Sequence, residues 1–266
     1  MKVLIKRELI SSIYGWGLYI AVFISFLLSS FILRNFMRGI GQNNIFISSY
    51  PLNLPLFISV VIISLYLVIV SAISISREKE HGTLEVLFYG PVSSSSFLLG
   101  KYITDMLLYV IILGFFAVYF LGVSLLTNLG FTLALGKAFL VSIFLASCMI
   151  SFGLFISSLT GRVRSSIVWL IGILLAFLGI WFLENIFIHI PPESLSSWLL
   201  YIQKTLSVIY HFVNWVSPFS YLSRGMESIR IGSIKPFLLN IIYSTIYTVV
   251  LLLLSIYILK SKGVRA

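Results

Sequence analysis

The chain of 266 residues is 59% hydrophobic and only 10% charged. Soluble domains carry roughly 45–50% apolar and about 25% charged residues, so this composition excludes a soluble globular enzyme and a disordered chain. It indicates an all-α, polytopic membrane protein. The net charge of +10 fits basic residues that orient such a chain in the membrane, and it indicates no nucleic acid as partner.

The first predicted elements are a short surface helix and a retained membrane span. Ile5 and Leu9 lie one helical turn apart, as do Lys2 and Lys6, which is typical of an amphipathic helix at the membrane surface. The uncharged stretch that follows is too long for the apolar region of a signal peptide, which has roughly 7–15 residues. We therefore interpret it as the first span and not as a cleaved leader.

Six stretches without charge are each long enough for a membrane span, which needs about 17–25 residues. Lysine and arginine residues orient them: with the N-terminus inside, 11 of the 18 basic residues are cytoplasmic. Both termini and the loop 76–102 then lie in the cytoplasm. The predicted spans lie near residues 13–33, 52–75, 103–126, 138–160, 166–188 and 237–259.

The segment 189–236 is predicted to form an external hairpin between spans five and six. Ser194 can cap a helix whose apolar stripe begins at Leu195 and suits an interfacial or re-entrant position. A second short helix is predicted around 219–231. The hairpin is either a structural cap on the bundle or an outer gate. The gate candidates are Trp198, Tyr210, Trp215 and Arg224.

A seven-span arrangement is the alternative, because the stretch 206–223 is long enough to cross the membrane. The seven-span arrangement also places 11 basic residues inside and 7 outside, as the six-span arrangement does. Charge therefore does not distinguish the two arrangements. The far end of this stretch is polar and carries Pro218, which favours six spans.

The residue patterns needed for membrane-enzyme chemistry are absent from the sequence. Asp105 is the only aspartate and the three histidines are scattered, so neither a paired-aspartate protease nor a zinc protease is indicated. No Walker-type phosphate loop occurs, and no predicted span carries a charge near its centre. We therefore expect no cofactor or metal in this chain and an energy source outside it.

The most charged part of the chain is the loop Ser76–Lys101, which the predicted orientation places in the cytoplasm. Gly82 ends the preceding helix, and Thr83 can cap a new short one with Glu85 on its surface. This short helix has two interpretations. It either docks in a groove of a soluble partner and transmits movement, or it is a solvated surface helix. The short helix is predicted to expose an apolar patch of Leu84, Leu87 and Phe88.

This loop resembles the cytoplasmic loop of type-2, export-class permeases of ATP-binding-cassette transporters. Their pattern is approximately E-K-E-x-G-T-x-E-x-L, then P-V-S and then G-K. The opening KRELISSIYGWGLYI is similar to the elbow helix of the same family, and FGLFISSLTGRVRSSIV to its junction of spans four and five. Within the family, the chain is similar to short permeases of the gliding-motility and nitrous-oxide-reductase-maturation type. The matching loop positions are Glu78, Lys79, Glu80, Gly82, Thr83, Glu85, Leu87, Pro91, Val92, Ser93, Gly100 and Lys101.

The resemblance implies a single transmembrane permease domain over residues 1–266, in the plasma membrane and without catalytic residues or a cofactor of its own. Two such chains, identical or different, would pair with two ATP-binding cassette subunits, which would bind ATP and magnesium and drive export. The loop would be the coupling helix, in which Gly82 is structural and Glu80 and Glu85 face the ATPase. The coupling candidates are Glu80, Gly82, Thr83, Leu84, Glu85, Leu87 and Phe88.

Two other functions stay open at this point. The absence of polar residues along the spans also fits a membrane anchor or assembly protein that does not itself carry a substrate. A membrane enzyme would have to use the external hairpin, with His211, Glu193 or Glu227 as acid–base groups. The separation of these three residues along the chain disfavours the enzyme.

Overall fold

The computed structural model describes residues 2–43, 52–84, 93–127, 132–188 and 197–262. Helices are the only regular secondary structure within these ranges, as predicted for an all-α protein. The helices are α1 (Lys2–Ile13), α2 (Trp16–Asn43), α3 (Asn53–Glu80), α4 (Ser94–Thr127), α5 (Leu133–Leu159), α6 (Val163–Ile188), α7 (Ser197–Val216), α8 (Pro218–Ile231) and α9 (Ile234–Lys262).

Six of these helices, α2 to α6 and α9, are long and apolar enough to cross a membrane. They coincide with the six predicted spans and confirm the six-span fold class. The main difference is α4, which begins at Ser94 and not near residue 103. Ser93 caps this helix, since its Oγ accepts a hydrogen bond of 3.2 Å from the Ser96 amide. The earlier start places Lys101 inside the helix and moves Asp105 away from its first turn.

Helix α1 precedes the first span and is separated from α2 by Tyr14 and Gly15. It packs on α4, where Glu8 of α1 reaches Lys101. A helix is therefore present where the sequence predicts an amphipathic one. Its position at a membrane surface stays a prediction.

Helix α5 lies at the centre of the bundle and packs most extensively on α3. Every residue from 145 to 154 is buried, on all sides of the helix. At Gly153 the two backbones come so close that a Cβ atom would lie 2.6 Å from the Val68 carbonyl oxygen and 2.9 Å from Ser71 Cβ. Glycine permits this α3–α5 crossing, as small residues commonly do between membrane helices.

Buried hydroxyl groups connect α5 to the helices around it. The Tyr102 hydroxyl lies 2.7 Å from Ser147 Oγ, which lies 3.0 Å from Thr248 Oγ1, so a polar chain joins α4, α5 and α9. Ser157 Oγ accepts hydrogen bonds of 3.1 and 2.9 Å from the α3 amides of residues 75–76. These pairings stabilise the bundle because an unsatisfied polar group costs several kcal/mol in a bilayer.

The region of the predicted hairpin contains two helices, α7 and α8, which are separated at Ser217. Ser217 has an extended backbone (φ −72°, ψ 123°), and Pro218 starts α8 because proline has no amide hydrogen with which to continue α7. Residues 206–223 therefore belong to two helices and do not form one continuous span. Helix α8 occurs where the second short helix is predicted, whereas Ser194 and Leu195 lie outside the described residues.

Candidate coupling site

Helix α3 ends at Glu80, directly before the loop that the sequence identifies as the coupling segment. Gly82 has a φ of +69°, a left-handed conformation that costs other residues about 1–2 kcal/mol. Its amide donates to the Lys79 carbonyl oxygen at 3.2 Å. The Thr83 hydroxyl also turns back and donates to the Glu78 carbonyl oxygen at 3.2 Å. The helix therefore ends in a compact, hydrogen-bonded turn.

Only one residue of the predicted apolar patch lies among the described residues. Leu84 is 5% exposed, so the prediction that its side chain is exposed is wrong. The side chain joins the hydrophobic core of the bundle, since packing there removes its apolar surface from water. Glu85, Leu87 and Phe88 lie outside the described residues, and their place in a coupling surface stays a prediction.

A buried ion-pair cluster joins three helices next to this turn. The Lys101 ammonium in α4 lies 2.8 Å from Glu8 Oε1 in α1 and 2.8 Å from Glu78 Oε1 in α3. The Lys101 side chain is only 4% exposed. A charge this deep is stable only when it is paired. Because Lys101 has two partners, it holds α1 and α4 to the end of α3.

The last turn of α3 also holds the connection between α5 and α6. Lys79 Nζ donates to the carbonyl oxygens of Ser158 and Thr160, at the C-terminal end of α5. Glu80 Oε2 accepts a hydrogen bond of 2.8 Å from the Val163 amide, at the first residue of α6. A helix dipole favours a cation at its C-terminus and a carboxylate at its N-terminus. Two consecutive side chains of α3 therefore cap two different helices.

The sequence did not predict two of these contacts, those of Glu80 and of Glu8. The resemblance implies that Glu80 faces the ATPase, whereas in the structure its Oε2 binds the Val163 amide of the same chain. Glu8 was not singled out at all. Its only signal was one acidic residue in an otherwise basic N-terminal helix, and its partner Lys101 lies 93 residues further along the chain.

The ion-pair cluster lines a cleft of about 580 Å³ between α1, α3 and α4. Asp105 lies on the cleft wall, is 6% exposed and accepts a hydrogen bond of 2.5 Å from the Ser71 hydroxyl. The sequence places Asp105 near a span end, but the earlier start of α4 puts it about three turns into that helix. Among the described residues, no cluster of histidine, cysteine, aspartate or glutamate could hold a metal ion.

The four predicted gate residues occupy different places in the structure. The Arg224 guanidinium carbon lies 4.5 Å from the centroid of the Trp215 ring, so these two residues are in contact. Tyr210 lines a separate cleft against α6. Trp198 is 65% exposed, near the start of α7. Among the described residues only Arg224 and Trp215 are brought together, and the role of the four side chains as a gate stays a prediction.

Tyr221 completes the contact between Arg224 and Trp215, and the sequence analysis missed it. Its hydroxyl donates to the Trp215 carbonyl oxygen at 2.9 Å, and its ring centroid lies 5.8 Å from the Arg224 guanidinium carbon. Burial raises the pKa of Tyr221 above its ordinary value, and nearby Arg224 offsets this rise only in part. The hydroxyl therefore stays protonated and remains a donor at neutral pH.

Comparison with known proteins agrees with this architecture. No curated protein matches the chain significantly. A family model described as ABC-2 family transporter protein matches residues 3–264, nearly the whole chain. The six apolar helices are consistent with that family. The chain therefore belongs to the ABC-2 transporter family, and it is a membrane permease subunit of an ABC transporter.

Proposed function

We propose that a separate ATP-binding subunit drives this permease by moving the loop between α3 and α4. The observation that carries the proposal is that Lys79 and Glu80, in the last turn before that loop, hold the ends of both α5 and α6. A force on the loop acts on α3 through the turn at Gly82. It then reaches α5 and α6 through these two side chains. Family membership supports the ATP-binding partner.

Lys101 supplies a second connection from the same turn. Its ion pairs with Glu8 and Glu78 link the end of α3 to α1 and α4. This link resists separation, because pulling the charges apart would leave them buried without partners. The end of α3 is therefore joined to four other helices, which suits a segment that transmits movement into the bundle.

The partner arrangement belongs to the same proposal. Two permease chains, identical or different, pair with two ATP-binding subunits, and ATP and magnesium bind to those subunits. The outward face of α6 supports a second permease chain, since Val168, Trp169 and Leu175 are each more than half exposed. Both termini and the loop face the cytoplasm, transport is export, and the complex lies in the plasma membrane.

A pull-down of the tagged chain in mild detergent tests this proposal. We expect a stoichiometric partner that contains a phosphate-binding loop, identified by mass spectrometry. The double variant Leu87→Asp/Phe88→Asp should lose that partner, because charges in an apolar contact are costly to desolvate.

The control places two aspartates elsewhere on the surface. Leu126 and Leu133 are 86% and 78% exposed, at the end of α4 and the start of α5. The double variant Leu126→Asp/Leu133→Asp should keep the partner. A wild-type chain that is recovered alone, in several detergents and in nanodiscs, would contradict the proposed function.

A further inference from the structure

A second cleft, of about 270 Å³, lies between α6, α7 and α8, at the opposite end of the bundle from the loop. The wall formed by α3 and α6 is apolar and includes Phe57, Phe177 and Trp181. An apolar cavity of about 150 Å³ in another protein holds a benzene molecule. The cleft therefore has room for an apolar segment longer than a single ring.

The other side of this cleft carries its polar groups. Asn214, Ser217, Ser220 and Ser223 line the cleft where α7 gives way to α8. No polar lining residue comes from α3 or α6 among the residues that the structure describes there. A ligand that matches both sides has an apolar chain and a polar end.

The polar side is held in place by hydrogen bonds to the last carbonyl groups of α7. The hydroxyls of Tyr221 and Tyr247 donate to the carbonyl oxygens of residues 215 and 216, at 2.9 and 2.8 Å. The Arg224 guanidinium donates to the carbonyl oxygen of residue 214 at 3.1 Å. Carbonyl groups at a helix C-terminus otherwise lack partners within the helix. The polar wall is therefore built into the fold before any ligand binds.

We propose that this cleft binds one acyl chain of an amphipathic membrane lipid, with the polar end of the lipid at the α7–α8 turn, and that such a lipid is the substrate class. The binding stands on the cleft alone, whereas the substrate role rests on the function proposed above. A lipid fits because Trp181 in the apolar wall is 54% exposed to the surroundings of a membrane-spanning helix. Aromatic side chains with polar groups are also typical of the membrane boundary, where lipid headgroups lie.

Photocrosslinking of the purified chain in nanodiscs tests the binding without an ATP-binding subunit. The probe is a phosphatidylcholine that carries a diazirine on one acyl chain, and the adducts are located by mass spectrometry. We expect more adducts at residues 177–181 and 210–214 than at residues 115–118 of the membrane helix α4, where Phe115 and Val118 are 63% and 70% exposed. Equal labelling of these segments would show contact with bulk lipid only and would overturn the inference.

Substitutions at Val213 separate specific binding from a folding defect. Val213→Trp fills part of the cleft and excludes roughly two methylenes of the chain, which should lower labelling about tenfold. Val213→Ala keeps the cleft open and should retain the labelling. Val208→Trp is the matched control, because Val208 is 66% exposed on the same helix. Unchanged labelling of the Val213→Trp chain would contradict the proposal.

The transport arm uses the permease together with its ATP-binding subunit in liposomes. We expect a fluorescent lipid to move across the bilayer only with ATP, and Val213→Trp to slow this movement, whereas the control Val208→Trp should not. Preferential labelling of the cleft in a chain that the pull-down recovers alone refutes the proposed function and leaves the binding intact. A bound partner with no preferential labelling of the cleft refutes the lipid site and leaves the proposed function intact.

Discussion

The substitution Lys101→Met removes the ammonium that lies 2.8 Å from both Glu8 Oε1 and Glu78 Oε1, and it keeps a similar side-chain length. The two glutamate side chains, 18% and 16% exposed, are then left without their cation in a mostly buried site. Removing one partner of a buried ion pair costs about 3–5 kcal/mol. Because the cleft gives both carboxylates some contact with water, we expect about 3 kcal/mol, the low end of that range.

Thermal unfolding of the purified chain in detergent, followed by size-exclusion chromatography, measures this loss. In soluble domains of about 150–250 residues, 1 kcal/mol changes Tm by roughly 2–4 °C. A loss of about 3 kcal/mol in the Lys101→Met chain therefore corresponds to a Tm lower by roughly 6–12 °C. Lys260→Met is the matched control, since Lys260 is exposed in the last turn of α9 and surface charges contribute only about 0–1 kcal/mol.

A triple variant separates the charge of Lys101 from its shape. In Lys101→Met/Glu8→Gln/Glu78→Gln all three side chains are neutral, so most of the lost Tm should return. If the triple variant is no more stable than Lys101→Met, the loss comes from packing and the electrostatic reasoning is refuted. A Lys101→Met chain as stable as the Lys260→Met control would refute it as well.

Two further substitutions test the contacts of α3. Glu80→Ala removes the acceptor of the Val163 amide. We expect thermal unfolding to show about 0.5–2 kcal/mol less stability, and the partner ATPase to be stimulated more weakly. Glu80→Gln should retain the stability and the stimulation. Gly153→Ala places a Cβ 2.6 Å from the Val68 carbonyl oxygen, and this overpacking should cost about 1–3 kcal/mol. Gly172→Ala meets no atom within 4 Å and should not lower Tm, so equal effects would contradict the close crossing.

Helix ends were predictable where a local residue marks them. Gly82 follows the end of α3, and Pro218 begins α8, because the backbone chemistry of these residues acts within one turn. Hydropathy alone places the start of α4 too late, near residue 103, since the segment before it contains serines and Lys101, whereas Ser93 at the observed start is a residue type that commonly caps helices. Burial of Lys101 becomes possible only because Glu8 and Glu78 meet it in space.

In the coupling loop, the local sequence pattern also failed to predict whether a side chain is buried. Leu84 was predicted to be exposed from its spacing with other apolar residues, yet it is 5% exposed. Spacing along a helix determines which residues share a face, but not what that face contacts. The burial of Leu84 depends on the neighbouring helices, which the local pattern does not describe.

The sequence by itself determined the six apolar helices, their order and the resemblance to a permease, because apolar length and short motifs are properties of consecutive residues. Only the tertiary structure decided that Glu78, Lys79 and Glu80 hold three other helices through contacts 23 to 83 residues apart, and that Lys101 adds α1 through Glu8, 93 residues away. Hydropathy is summed along the chain, whereas a hydrogen bond or an ion pair depends on the distance between two atoms after the helices have packed.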